Sequence, residues 1–137
     1  MARDRNRKAF FDTNVILYLV SDDAENSRRS QDLMTMGGVV SVQVLNEFTS
    51  VVRRKQSMPW DDVHRVLDGL RLACSIVPLT EDTHVRALRY AERNQLHICD
   101  ANIIAAAALA GCATLYSEDM HDGLVIDGVT IRNPYTS

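Results

Sequence analysis

The sequence predicts an α/β fold, with a central parallel β-sheet of four to five strands flanked by helices on both faces. Three observations carry that prediction. Short apolar runs with strand character recur at residues 8–11, 39–42, 75–79 and 113–116. The stretches between them repeat their apolar residues at helical spacing. Carboxylates stand at the ends of strands and the starts of helices, and the carboxyl edge of a parallel sheet is where such folds place their chemistry.

Strand one, 8–11, runs directly into Asp12. A short helix over 14–20 carries Val15, Ile16, Leu17, Tyr18 and Leu19. Ser21-Asp22-Asp23 interrupts it, a polar helix follows over 24–36, and Gly37-Gly38 is a stop signal. Strand two is 39–42. Over 43–55, Val44, Leu45, Phe48, Val51 and Val52 form one stripe, and Arg53, Arg54 and Lys55 close the helix where cations suit its C-terminus. Pro59 fits a first helical turn, with Asp61 and Asp62 at the positive end and Val63, Val66, Leu67, Leu70 and Cys74 inward. Strand three is 75–79, with Pro78 near its end. Thr80 is the expected N-cap of a helix reaching Arg93, with Val85, Leu88 and Ala91 inward. Asp100 is the expected cap of a helix over 101–110, which Gly111 ends before strand four, 113–116. At the tail, Val125-Ile126 and Val129-Thr130-Ile131 flank Asp127-Gly128, as a hairpin or as one strand and a turn.

A chain of 137 residues with 46% hydrophobic content fits one domain, 1–137, with one core. Its longest apolar run, 103–110, falls far short of the roughly 18 residues a membrane span needs. The start is basic (Arg3, Arg5, Arg7, Lys8), but a strand ending in an acid follows, unlike a secretory signal. A cytoplasmic protein is expected. Cys74, Cys99 and Cys112 lack metal or redox spacing and read as reduced thiols, small apolar residues of the core. The net charge of −3 leans away from a nucleic-acid binder without excluding a nuclease that gathers acids in one pocket.

Each acid has an ordinary explanation taken alone. Asp12 and Asp100 would cap helices, Asp119 would sit in a loop, and Glu47 would face solvent from its helix. Together they say more. Parallel strands bring their carboxyl ends to one edge, so Asp12, Asp100 and Asp119 meet there, and Glu47 lies about one turn into the helix after strand two. Gathered carboxylates repel one another unless protonated or bridged by a cation. An all-oxygen donor set suits Mg²⁺ or Mn²⁺, which polarise phosphoryl oxygens.

These segments resemble a PIN domain, and in particular the VapC-type ribonuclease toxins of toxin–antitoxin pairs. The resemblance rests on Phe11-Asp12-Thr13-Asn14, Asn46-Glu47-Phe48, the run from Cys99-Asp100-Ala101-Asn102 to Ala108, and Leu115-Tyr116-Ser117-Glu118-Asp119. It spans nearly the whole chain. It implies Mg²⁺- or Mn²⁺-dependent RNA cleavage with 5′-phosphate and 3′-hydroxyl products, and metal-ligand roles for Asp12, Glu47, Asp100 and Asp119. Thr13 and Ser117 match supporting hydroxyl positions, and Asn14 a polar position that orders the site. Asp122 departs from the family pattern; it either assists a second ion or shapes the turn before Gly123. The resemblance also implies a VapB-type antitoxin, which would mask the acids and cover apolar surface near Tyr18, Leu19 and Val20, and a homodimer.

Substrate phosphates call for cations. Arg86, Arg89 and Arg93 share one helix face, and Arg53, Arg54 and Lys55 form a second group; a solvated helix face is the more ordinary explanation of both. Four rival readings stand beside the toxin. They are a PIN nuclease of RNA processing, a non-catalytic PIN-like binding module, metal-free histidine chemistry using His64, His84, His97 or His121, and a haloacid dehalogenase-type phosphatase. The last would want an Asp where Asn14 stands.

Overall fold

Phe10 and Phe11 are fully enclosed, and the strand that carries them, β1 (Ala9–Phe11), is the middle of the sheet. The computed structural model describes residues 8–136, so Arg3, Arg5 and Arg7 lie outside the described residues. The other strands are β2 (Gly38–Ser41), β3 (Cys74–Val77), β4 (Thr114–Tyr116), β5 (Val125–Ile126) and β6 (Val129–Arg132). They form one six-stranded sheet in the order β3-β2-β1-β4-β6-β5. All neighbours are parallel except β5 and β6. Six helices among the described residues flank the sheet: α1 (Thr13–Leu19), α2 (Ala24–Thr35), α3 (Val42–Lys55), α4 (Trp60–Ala73), α5 (Glu81–Asn94) and α6 (Ile98–Leu109).

The expected α/β sheet is present, extended by the tail. The hairpin reading of the C-terminal strands holds: Val125 pairs with Thr130 and Ile126 with Val129. Asp127 (φ 50°) and Gly128 (φ 83°) supply the two left-handed positions of a tight hairpin turn. β1 and β2 approach closely because residue 38 is glycine. A Cβ there would lie 2.7 Å from Phe11 Cζ and 2.9 Å from the Ala9 carbonyl oxygen.

Several element boundaries and one helix face differ from expectation. Val42 starts α3 instead of ending β2, because the buried Ser41 hydroxyl caps the helix through the Val44 N–H. Cys74 opens β3 instead of closing the α4 stripe, and the strand stops before Pro78, which has no N–H for a ladder. Thr80 caps α5 as expected, with a reciprocal bond to Thr83. The buried face of α5 is nevertheless Thr83, Ala87 and Tyr90, while Val85 and Leu88 are 42% and 50% exposed. Small Ala87 lets α5 lie close to α6, and the Tyr90 hydroxyl reaches Asp127 in the hairpin turn at 2.6 Å. α6 is buried on most sides, from Ala101 to Ala107, because its alanines allow close approach by the sheet and α5. It starts at Ile98, capped by His97, whose Nδ1 accepts the Cys99 N–H. Asp100 therefore sits inside the first turn and is not the cap.

Candidate functional site

The site grows from the register of β1 on β4, where Phe11 lies opposite Tyr116. The residues that follow, Asp12 and Ser117, are thereby neighbours at the carboxyl edge. The Asp12 N–H bonds the Tyr116 carbonyl at 3.0 Å. The Ser117 hydroxyl donates to Asp12 Oδ2 at 2.7 Å, and the Thr13 N–H donates to Oδ1 at 2.7 Å. Asp12 is therefore both the cap of α1 and a buried acid of the edge, 6% exposed. The helix then points Thr13 and Asn14 along that edge. Thr13 Oγ1 donates to Glu47 Oε2 at 2.6 Å, which ties α1 to α3. Asn14 Nδ2 donates to Asp119 Oδ2 at 3.0 Å, and Asn14 Oδ1 accepts the Glu118 N–H at 3.3 Å.

The electrostatics record the crowding. Burial pushes the Asp12 carboxyl up from 3.8 to about 6; the Ser117 and Thr13 bonds oppose this, and the charges of Glu47 and Asp100 add to it. Asp100 is also raised, first by burial, with His97 lowering it and Asp119 and Glu47 raising it. The four expected acids, from four separate stretches of chain, thus lie near enough to affect one another's ionisation.

Among the described residues, no three His, Cys, Asp or Glu side chains converge into a ready-made metal cluster. The fit to a cation rests instead on the donors. They are oxygen-only, and each carboxylate with a neutral partner at the edge has that partner donating to it. A buried Asp whose ionisation is opposed by two neighbouring acids gains most from a hard divalent cation.

The remaining candidates are spread more widely. Asp122 Oδ1 accepts the Asn133 N–H at 2.8 Å, which ties the turn before Gly123 to the tail. Arg53 lies 4.3 Å over the Trp60 ring and donates to the Met58 carbonyl, so it braces α3 against α4. Arg54, next in sequence, lines the hollow that also holds Thr13, Asn14, Glu47 and Asp119. Arg86 pairs with Asp127 at 3.3 Å. That turn precedes β6, which is parallel to β4, so it lies at the amino edge of the sheet, opposite the acids. Arg89 and Arg93 are exposed on α5. The three do not act as one group.

Two partners escaped the sequence reading. Gln43 Nε2 donates to Glu47 Oε1 at 2.7 Å, and the i, i+4 spacing was a usable signal. The Tyr18 hydroxyl donates to both Glu118 oxygens at 2.8 and 2.7 Å, and its ring packs 4.5 Å from that of Tyr135. Nothing local announces a contact across 100 residues.

The model of the family described as PIN domain matches residues 9–121. No curated protein sequence matches this chain. Among solved structures, a toxin–antitoxin complex from Klebsiella pneumoniae is similar at TM-score 0.71 and 23% identity, over 93% of this chain and 98% of that one. VapBC2 from Rickettsia felis, bound to a DNA fragment from its promoter, is similar at TM-score 0.66 and 17% identity, over 91% and 97%. VapC20 of Mycobacterium tuberculosis, a toxin that cleaves the sarcin–ricin loop, is similar at 0.63 and 17%, over 81% and 89%. At these identities the likeness is one of fold.

Proposed function

The chain belongs to the PIN domain family, and from that premise we propose that it is a Mg²⁺- or Mn²⁺-dependent endoribonuclease acting as the toxin of a toxin–antitoxin pair. The observation that carries this reading is the buried Asp12 at the carboxyl edge of β1, held by Ser117 and the Thr13 N–H, with Thr13 and Asn14 reaching on to Glu47 and Asp119. Asp12, Glu47 and Asp100 would hold the ion, with Asp119 completing the site. When bound, the ion supplies Lewis-acid stabilisation of phosphoryl charge and a water of lowered pKa.

The chain's own groups do the positioning. Ser117 and the Thr13 N–H fix the plane of the Asp12 carboxylate. Thr13 and Gln43 hold Glu47 from two sides. Asn14 ties Asp119 to α1 through its amide and the Glu118 backbone through its carbonyl. Carboxylates held in this way would take up a cation with little rearrangement of their own.

An antitoxin and a homodimer are proposed on the same footing. A hollow of about 400 Å³ between α1, α2 and α4, lined by Leu19, Met34, Val66 and Leu70, is the apolar face an antitoxin would cover. No helix among the described residues is long and apolar enough to cross a membrane. The activity is tested by incubating the purified chain with total RNA, with Mg²⁺ or excess chelator, beside Asp12→Asn, and mapping new 5′ ends. Cleavage that needs both the ion and Asp12 is expected. Equal cleavage in chelator would favour histidine chemistry instead.

A further inference from the structure

We propose that the trough between α1 and α3 is a nucleotide subsite, with Arg54 as its phosphate anchor; this rests on the ribonuclease reading above. Two adjoining hollows of about 280 and 330 Å³ share Asn14, Leu17, Val51 and Asp119, and so form one trough. One end reaches Glu47 and the other reaches Ser21 and Gln56. Among the described residues that line it, Arg54 is the only cation.

The order of chemistry along α3 is what suits a nucleotide. Glu47, Val51 and Arg54 follow one another at i, i+4 and i+7, so one helix face presents an acid, an apolar platform and a cation in turn. Seven residues of helix rise about 10 Å, room for one nucleotide between acid and cation. Leu17 joins Val51 in the wall shared by the two hollows, which makes a slot for the face of a base. Ser21 and Gln56 add uncharged donors and acceptors at its far end. Arg53 does not share this role, because its guanidinium is occupied by Trp60 and the Met58 carbonyl. A guanidinium suits phosphate because its donors match two oxygens at once.

The test is the affinity of a labelled single-stranded RNA decamer of mixed sequence, measured with Mg²⁺ across a salt series in the cleavage-deficient Asp12→Asn background. Arg54→Gln is expected to weaken binding about tenfold at low salt and to flatten the slope of log affinity against log salt by about 0.7. Arg54→Lys should recover part of the loss. Arg65→Gln, which removes an equal charge from α4, should leave the slope unchanged. In the intact chain, Arg54→Gln should raise KM with little change in kcat. Binding and salt slope in Arg54→Gln equal to the parent's would overturn the subsite. If the intact chain cleaves RNA while Arg54→Gln behaves as the parent, only the subsite fails. If the intact chain neither binds nor cleaves RNA, the subsite and the ribonuclease reading fail together.

Discussion

At the scale of single residues, Asp12 sets a conflict between stability and function. Its pKa rises from 3.8 to about 6 on folding, so the folded chain holds this proton more tightly than the unfolded chain. In metal-free protein, the stability it permits is complete below about pH 3.8 and is lost as pH rises through 6. A shift of this size corresponds to about 3 kcal/mol. Thermal melts in chelator should therefore fall between pH 4 and 7 in the wild type, and much less in Asp12→Asn; adding Mg²⁺ at pH 7 should raise the wild-type melting temperature selectively. Parallel pH profiles for the two proteins would contradict this. Gln43 gives a second prediction at this scale. Gln43→Leu frees Glu47 Oε1 of its donor, so Mn²⁺ affinity, read by calorimetry, should fall several-fold while the melting temperature moves by only a few degrees. Unchanged affinity would mean that Thr13 alone holds Glu47. The acids were legible in the sequence because their types and their places relative to strands coincide. Thr13, Asn14 and Ser117 were legible as their supports through the family resemblance, whereas the Tyr18–Glu118 contact was not, because those two residues meet only once the chain has folded.

At the scale of elements, the fold depends on close approaches that small residues allow. Gly38→Ala places a methyl against Phe11 and the Ala9 carbonyl, in the strand pair that sets the edge under Asp12. A cost of about 1–3 kcal/mol is expected by denaturant titration, together with weaker metal binding. A loss of stability with metal affinity intact would show that the β1–β2 spacing does not matter to the site. Thiol labelling gives a separate check on helix placement. Cys99 is exposed at the start of α6, while Cys74 and Cys112 are buried. Burial also raises the Cys112 thiol to about 11, so it is poor in thiolate. Native protein should take up one equivalent of maleimide quickly, at Cys99; rapid labelling of Cys112 would contradict the packing of α6 against β4. Elements whose periodicity and breakers agree, such as α3, were legible in advance, while the hairpin was one of two readings of the tail until β5 was seen to pair with β6. The face of α5 was not, because a single sequence favours Val85 and Leu88 as core. Tertiary packing instead chose Thr83, Ala87 and Tyr90, which suit a close neighbour and a distant Asp127.

At the scale of the whole molecule, the sheet order explains why residues distant in sequence come to one edge. β1 lies between β2 and β4, so the segments that follow these three strands emerge side by side at one edge. α1, α3 and the Ser117–Asp119 loop are those segments, and α6 adds Asp100. The cations do not follow the same logic. Arg86 is held at the opposite edge and Arg53 against Trp60, which leaves Arg54 facing the trough. A basic helix face read from spacing alone could not separate these roles, since each depends on what folds against it. The proposed function requires that four separated acids make one divalent-cation site that cleaves RNA. Its most direct test is Mn²⁺ binding to the purified chain at pH 7, followed by RNA cleavage on the same samples, for wild type, Asp12→Asn and Asp100→Asn. Wild type is expected to bind the ion and cleave, and each substitution to weaken binding at least tenfold and lower cleavage at least a hundredfold while the fold persists. Wild-type ion affinity and cleavage in a folded Asp12→Asn protein would contradict the proposed function.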